Sequence, residues 1–196
     1  MAFLRYGLGV GALAAAMFSA GAALAGSFDS ETLTEGRKLS SFDSVYIAPV
    51  QANLDLNVVR FDRSGYGDRA VRDEDAARKA ADFYDELVEE FGESFSLADA
   101  PGSGVLTVQA TLTKLESSRP TLADYNRDTS VSFRSVYAGG AAMTAVFSED
   151  GATLAEVSDE FISNLNDGRT RAGLWQDADR AFEQWAHKLA KFAKED

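Results

Sequence analysis

The chain has 196 residues, with 19 Lys or Arg against 31 Asp or Glu, and its formal net charge at pH 7 is −12. A surface of this sign repels phosphate backbones and anionic lipid, which argues against a nucleic-acid-binding protein and against electrostatic attachment to a membrane. The sequence contains no cysteine, which excludes disulfides, thiol catalysis, zinc held by Cys and lipidation through a thioether.

Residues 1–25 have the three parts of a secretory signal peptide. Arg5 is the only charged side chain before Asp29, an apolar run rich in Ala, Gly and Leu follows Arg5, and the run ends Ala23-Leu24-Ala25. A basic start, an apolar middle and small residues at the first and third positions of the ending are typical of an exported chain. We therefore predict a periplasmic or secreted protein.

The predicted cleavage site lies between Ala25 and Gly26, although cleavage after Ala22 also satisfies the small-residue rule. The alternative is an uncleaved signal that anchors the chain in the inner membrane, because the apolar run is almost long enough to span a bilayer. Removal of Arg5 with the signal changes the net charge from −12 to −13.

We interpret residues 26–41, which are polar and mixed, as a linker with at most a docking turn. Residues 42–196 are then a single domain, a length that suits one sizeable core. Its first predicted strand is 44–50, apolar on both faces and ending near Pro49, which has no N–H to donate. A long connection follows, and it contains a weak strand pattern at 56–61.

A helix and a strand come next, around residues 76–115. The helix is predicted because apolar side chains recur at steps of three and four, with acidic residues 73–75 at its start and Gly92 where it would stop. Its apolar positions are Ala76, Ala80, Phe83, Tyr84, Leu87, Val88 and Phe91. The period then changes to two, with Leu106, Val108, Ala110 and Leu112 on one face, which predicts a strand with one buried face.

Two further strands and a final helix complete the domain. Strand patterns cover 130–147, interrupted by Gly139-Gly140, and 153–164, and the Asp150-Gly151 step between them is typical of a hairpin turn. The helix is predicted from about 174 to 194, because aromatic and aliphatic residues form a stripe along it. We interpret this stripe, with Trp175, Ala178, Ala181, Phe182, Trp185, Leu189 and Phe192, as core packing rather than a cofactor site.

The order of these elements predicts an α/β (α+β) fold. A strand, a helix and a strand make a right-handed crossover with two parallel strands, and the later strands make an antiparallel meander. We expect a two-layer sandwich with a mixed sheet of about four to five strands and helices mainly on one face.

No motif identifies a catalytic, cofactor-binding or metal-ligating residue. The only histidine, His187, lies about 200° around the helix from Trp185 and should face solvent. Asp124, Asn126 and Asp128 start like a calcium loop, but Thr129 stands where Gly is required and Ser135 where a bidentate Glu is required. Gly65-x-Gly67 and Gly102-x-Gly104 each lack the third glycine of a dinucleotide fingerprint. We therefore assign no site residues and expect no cofactor.

Several segments together resemble the bacterial domain of unknown function 3313, whose members are small exported proteins of Gram-negative bacteria, many of them lipoproteins. The segments are 42–50, 81–87, 100–106, 139–143 and 181–186. The resemblance implies an envelope location and an α/β fold, and no established activity. A lipoprotein box reads Leu-Ala-Gly-Cys, whereas Leu24-Ala25-Gly26 is followed here by Ser27. Since a hydroxyl cannot become the thioether that holds the lipid, we predict no lipid anchor.

Three hypotheses for the function follow. The first is a non-enzymatic accessory or interaction module that contacts an envelope protein. The second is a small-ligand carrier, which needs a pocket between the sheet and the helices. The third is a hydrolase that uses two carboxylates in a cleft. The sequence does not predict an oligomeric state.

Overall fold

The computed structural model describes residues 28–34, 38–54, 71–120, 132, 138–164 and 173–196. In chain order, its elements are β1 (Ser30–Leu33), a 3-10 turn (Leu39–Ser41), β2 (Ser44–Ile47), β3 (Gln51–Ala52), α1 (Asp73–Ser94), β4 (Ser96–Leu97), β5 (Val105–Glu116), β6 (Gly140–Glu149), β7 (Ala152–Ile162) and α2 (Gln176–Glu195). The predicted signal peptide and the weak strand pattern at 56–61 lie outside these residues.

The parallel strand pair of the predicted crossover and the predicted meander are both confirmed. Val45 of β2 lies opposite Leu106 of β5 in a parallel pair, and α1 lies between the two strands in the chain. Strands β5, β6 and β7 pair antiparallel in succession. At the hairpin between β6 and β7, Asp150 has φ 49° and Gly151 has φ 81°, the left-handed conformations that an Asp-Gly turn requires.

The sheet has more strands than the sequence pattern predicts. Its order is β1-β7-β6-β5-β2-β4, and β3 also pairs with β5, which makes seven strands. The additional strands β3 and β4 have two residues each, and β1 has four. The two-residue strands are too short for a detectable period, because an alternation needs four or more residues to be recognised. The four residues of β1 are mostly polar and show no apolar alternation.

The segment 26–41 differs from a linker, because its described part belongs to the sheet and the core. Residues of β1 pair antiparallel with β7, and the Phe28 ring meets the Phe192 ring of α2 edge-on, with centroids 5.7 Å apart. The Asp29 carboxylate accepts a hydrogen bond from the Glu160 N–H at 2.8 Å. Leu39 is fully buried.

The two helices cover one face of the sheet. Helix α1 contacts β2, β3, β4 and β5, and α2 contacts β6 and β7. The Phe83 and Phe182 rings stack between the helices with centroids 5.0 Å apart, and Trp185 is 1% exposed. The aromatic stripe of the last helix is therefore core, and the predicted two-layer α/β architecture is confirmed. Gly92 does not end α1, which continues for two more residues.

Candidate functional site

The predicted surface position of His187 is confirmed. Its side chain is 70% exposed, and its Nδ1 lies 3.3 Å from Oε2 of Glu90.

The other candidate motifs do not form a site among the described residues. Gly104 has φ 78°, and its N–H donates to Glu149 Oε1 at 2.8 Å, so the Gly102-x-Gly104 segment forms the turn into β5. Apart from Ser132, the calcium-like stretch 124–135 lies outside the described residues, and so does Gly65-x-Gly67. Among the residues described, no three His, Cys, Asp or Glu side chains are grouped to hold a metal ion.

A buried polar cluster surrounds Asp177 in the first turn of α2, and we call it the Asp177 cluster. Asp177 Oδ2 accepts hydrogen bonds from Ser118 Oγ at 2.9 Å, from Ser163 Oγ at 2.8 Å and from the Gly139 N–H at 3.3 Å. Ser118 Oγ in turn accepts from the Asp177 N–H at 3.2 Å. One carboxylate thus joins the end of β5, the start of β6, the end of β7 and the start of α2.

The geometry of the Asp177 cluster indicates a structural role, in which the carboxylate holds the strand ends to the start of α2. Asp177 is 5% exposed, Ser163 is 7% exposed and Ser118 is fully buried, so the two hydroxyls are closed to a substrate. The sequence shows only an acidic residue in the first helical turn, and nothing local indicates its three donors.

Two other buried acids also have fixed partners. Asp159 of β7 accepts hydrogen bonds from Trp185 Nε1 at 2.9 Å and from Lys188 Nζ at 2.7 Å. Asp75 forms ion pairs with Arg72 and Arg78. These contacts hold helices and strands in place, and within the part of the chain that the structure describes neither acid is paired with a second carboxylate in the way that hydrolysis by two carboxylates requires.

Lys79 joins the two helices electrostatically. Its Nζ lies 2.6 Å from Asp179 Oδ1 of α2 and also pairs with Asp82 of α1. Burial lowers the pKa of the Lys79 ammonium, but the hydrogen bonds to Asp179 and Asp82 and the charges of these carboxylates outweigh burial and raise the pKa above its ordinary value. On the same helical surface, burial first, and then the charges of Glu183, Glu89, Glu90 and Asp179, raise the pKa of Glu86.

The Lys79 pairs predict a stability effect that depends on pH. We expect Lys79→Met, which keeps the packing of the stem, to lower the free energy of unfolding by about 1 kcal/mol at pH 7, since both carboxylates are nearly half exposed. Because the folded-state pKa is raised, this contribution is complete below the unfolded pKa of about 10.4 and is lost as pH rises through the folded pKa. Urea unfolding of both proteins at neutral and strongly alkaline pH measures it. If the difference in unfolding free energy between the wild type and Lys79→Met stays the same at high pH, the effect comes from packing and not from the ion pairs.

The interior between the sheet and the helices is filled by the described side chains. Phe83, Leu87, Leu112 and Phe147 are each fully buried there. A cleft of about 490 Å³ lies instead at the rim, where the 3-10 turn meets the ends of both helices. Its lining is mainly polar and includes Asp43, Glu93 and Lys194. It lacks the apolar enclosure that small-molecule sites have.

The face of the sheet opposite the helices is a further functional candidate, and we call it the open sheet face. No described element packs on it. Its side chains alternate with the buried ones along each strand, and most are half-buried. The residues of this face are Tyr46, Thr107, Gln109, Thr111, Lys114, Ala142, Thr144, Val146, Glu156, Ser158 and Glu160.

Charged residues on the open sheet face lie on both sides of one uncharged central row, with Glu156 on one neighbouring level and Lys114 and Glu160 on the other. Lys114 Nζ is 2.7 Å from Glu160 Oε1 and 3.2 Å from Glu116 Oε1, which places an ion-paired group at one end. Thr111, Thr144 and Ser158 cross the centre of the face on three adjacent strands. This central row is therefore uncharged and made of small side chains.

A family model described as a protein of unknown function, DUF3313, matches residues 33–189. The chain belongs to the DUF3313 family. None of the curated proteins matches it. The segments that carry the resemblance lie in β2, α1, the turn into β5, the start of β6 and α2. The segments that resemble the DUF3313 family therefore belong to the strands, helices and turn that build the fold.

Solved structures give distant likenesses to this DUF3313 protein. The PelC dodecamer from Paraburkholderia phytofirmans is 10% identical with a TM-score of 0.43, and the match covers 81% of this chain and 97% of that chain. Protein XCC0632 from Xanthomonas campestris, of the DUF330 family, is 15% identical with a TM-score of 0.37, over 77% and 82% of the two chains. In the described parts of the DUF3313 chain, no helix has the length and apolar character needed to cross a membrane.

Proposed function

We propose that this chain is a non-enzymatic periplasmic protein that serves as an interaction module of the cell envelope. The observation that carries the proposal is the open sheet face. Protein interfaces are broad, with few charges at the centre and a polar rim, and on the described part of this face a central row of small uncharged side chains lies between levels that carry Glu156, Lys114 and Glu160. The buried carboxylates hold the fold together, and the rim cleft has few apolar walls.

The predicted signal peptide supports the proposed envelope location. Residues 1–25 have the pattern of a signal peptide, and Phe28 packs on α2 directly after Gly26 and Ser27. In a mature chain cut at the predicted site, the third residue, Phe28, would thus pack on the domain. An uncleaved signal would instead hold the domain within about 10 Å of the membrane, since three residues span no more than that distance.

The proposal is tested by crosslinking in the cells that make the protein. A photo-reactive amino acid placed at Thr144, at the centre of the open sheet face, is expected to give a discrete heavier adduct on irradiation. The same amino acid at Gln184, an exposed position on α2, is the matched control and should give none. Mass spectrometry identifies the attached protein, and osmotic shock should release the processed chain with the periplasmic fraction.

Two results would contradict the proposal. The first is equal labelling at Thr144 and Gln184, which would show that the open sheet face has no preferred partner. The second is a chain that stays in the membrane pellet after a salt wash, which would replace the periplasmic location with the anchored alternative.

A further inference from the structure

We propose that the open sheet face binds the same face of a second copy of this chain, forming a two-fold dimer whose axis runs along β6. This inference rests on the proposed function, because it names the occupant of the same surface. It follows from the strand order and register of the sheet, as well as from the distribution of charge.

The strand order is symmetric about β6. Strands β7 and β5 flank β6, and β1 and β2 lie outside them. A rotation of 180° about an axis that is parallel to β6 and lies between the two faces therefore places β7 of one copy over β5 of the other. The same rotation places β1 over β2. A two-fold interface requires such a self-complementary surface, because each contact occurs twice.

The register makes the facing side chains compatible. Thr111, Thr144 and Ser158 lie at one level of the three strands, so the dimer places Thr111 over Ser158 of the second copy. Thr144 lies on the axis and meets its own equivalent. Hydroxyl-bearing and β-branched side chains of this size pack closely between sheets.

The charged pair at the end of the face is also complementary. Lys114 and Glu160 both lie opposite Ala142, on either side of β6. The rotation brings Lys114 of each copy over Glu160 of the other, so two opposite charges meet at each of two places. At the level of Val146, Gln109 of each copy lies over Glu156 of the other. A neutral amide donor there faces a carboxylate acceptor. No like charges are brought together at these levels.

The size of the face suits a stable interface. Three strands of about ten residues and two strands of four residues, at a spacing of about 4.8 Å and a rise of about 3.3 Å per residue, give roughly 600 Å². The two copies together would then bury roughly 1,200 Å², which is the lower end of the range for stable interfaces. Two copies of one sheet also share the same twist, and sheets of equal twist pack with their strands aligned. The acidic outer surfaces of the helices point away from this contact.

Sedimentation of the purified mature chain tests the dimer directly. The wild-type chain is expected to have the mass of a dimer at micromolar concentrations. Thr144→Arg places two guanidinium groups against each other on the axis and should weaken association by at least about 100-fold, because like charges across an interface cost several kcal/mol. Gln184→Arg adds the same charge on α2 and should leave the dimer intact. A monomeric wild-type chain, or a dimeric Thr144→Arg variant, would overturn the proposal.

A charge-reversal pair gives a second test that does not depend on the folding of the arginine variant. Lys114→Glu alone and Glu160→Lys alone should each weaken the homodimer, because each places like charges between copies. A mixture of the two variants should form heterodimers, since each facing pair is then opposite in charge. Failure of the mixture to associate would count against this axis. If the wild-type chain is monomeric while the Thr144 crosslink still captures another envelope protein, the dimer is refuted and the proposed function stands.

Discussion

Asp177→Ala is expected to lower the free energy of unfolding by about 3 kcal/mol, because it leaves buried donors without an acceptor. Ser118 Oγ, Ser163 Oγ and the Gly139 N–H all donate to the carboxylate that is removed. Two of these groups are hydroxyls that can turn to other acceptors, whereas the Gly139 N–H is fixed by the backbone. Loss of a negative charge in the first turn of α2 adds to the effect. Urea unfolding followed by circular dichroism measures the difference.

Two further variants separate the hydrogen bonds from the general effect of removing an acid. Asp177→Asn keeps the shape and one acceptor oxygen, so its loss of stability should be smaller than that of the alanine variant. Asp85→Ala removes an exposed acid from α1 and should change stability by less than about 0.5 kcal/mol. If the alanine variants at 177 and 85 had equal effects, the Asp177 cluster would not be a tie between the strands and the helix.

The parts of the fold that were predicted from sequence are those with a long, regular period. Helix α1 was recognisable because its apolar residues repeat at helical spacing over 22 residues. Strand β5 was recognisable because its alternation persists for 12 residues. Both signals are local, and the parallel pairing of β2 with β5 follows from their order and from the handedness of crossovers.

Strand β1 could not be recognised in the same way. It has four residues in a polar segment, and it becomes a strand because it pairs with β7 and because the Phe28 ring packs on α2. The Asp29 carboxylate that helps to hold it bonds to a residue 131 positions away. Contacts at such separations leave no pattern in a local window, so composition alone indicated a linker.

The candidate sites also depend on contacts between residues that are far apart in the sequence, so local patterns do not predict them. In the Asp177 cluster, the donors at Ser118, Gly139 and Ser163 lie 59, 38 and 14 positions from the acid. Hydroxyls and glycines are common in loops, so their types alone do not indicate a buried network. The open sheet face consists of the residues that alternate with the core. Their positions were implied by the strand period, but the strand order and register that give the face its symmetry depend on pairing.

Gly140→Ala is expected to lower the free energy of unfolding by about 3 kcal/mol, the upper range for overpacking. A Cβ at Gly140 would lie 2.1 Å from the Phe161 carbonyl oxygen and 3.1 Å from the Ile162 Cα. Both atoms belong to the backbone of β7, so the neighbour cannot move aside without separating the two strands where Gly140 pairs with Ile162. The start of β6 also borders the Asp177 cluster, which the displacement would disturb.

Gly102→Ala is the matched control for this substitution. No atom lies within 4 Å of the position that a Cβ at Gly102 would occupy, and its φ is not in the left-handed region. Alanine there should leave stability unchanged or raise it by about 0.5 kcal/mol, because it restricts the unfolded chain. Thermal unfolding of the two variants compares them directly. If the Gly140→Ala and Gly102→Ala variants were equally stable, β6 and β7 would separate easily at this end. The close approach of the two strands would then not be the reason for a glycine at position 140.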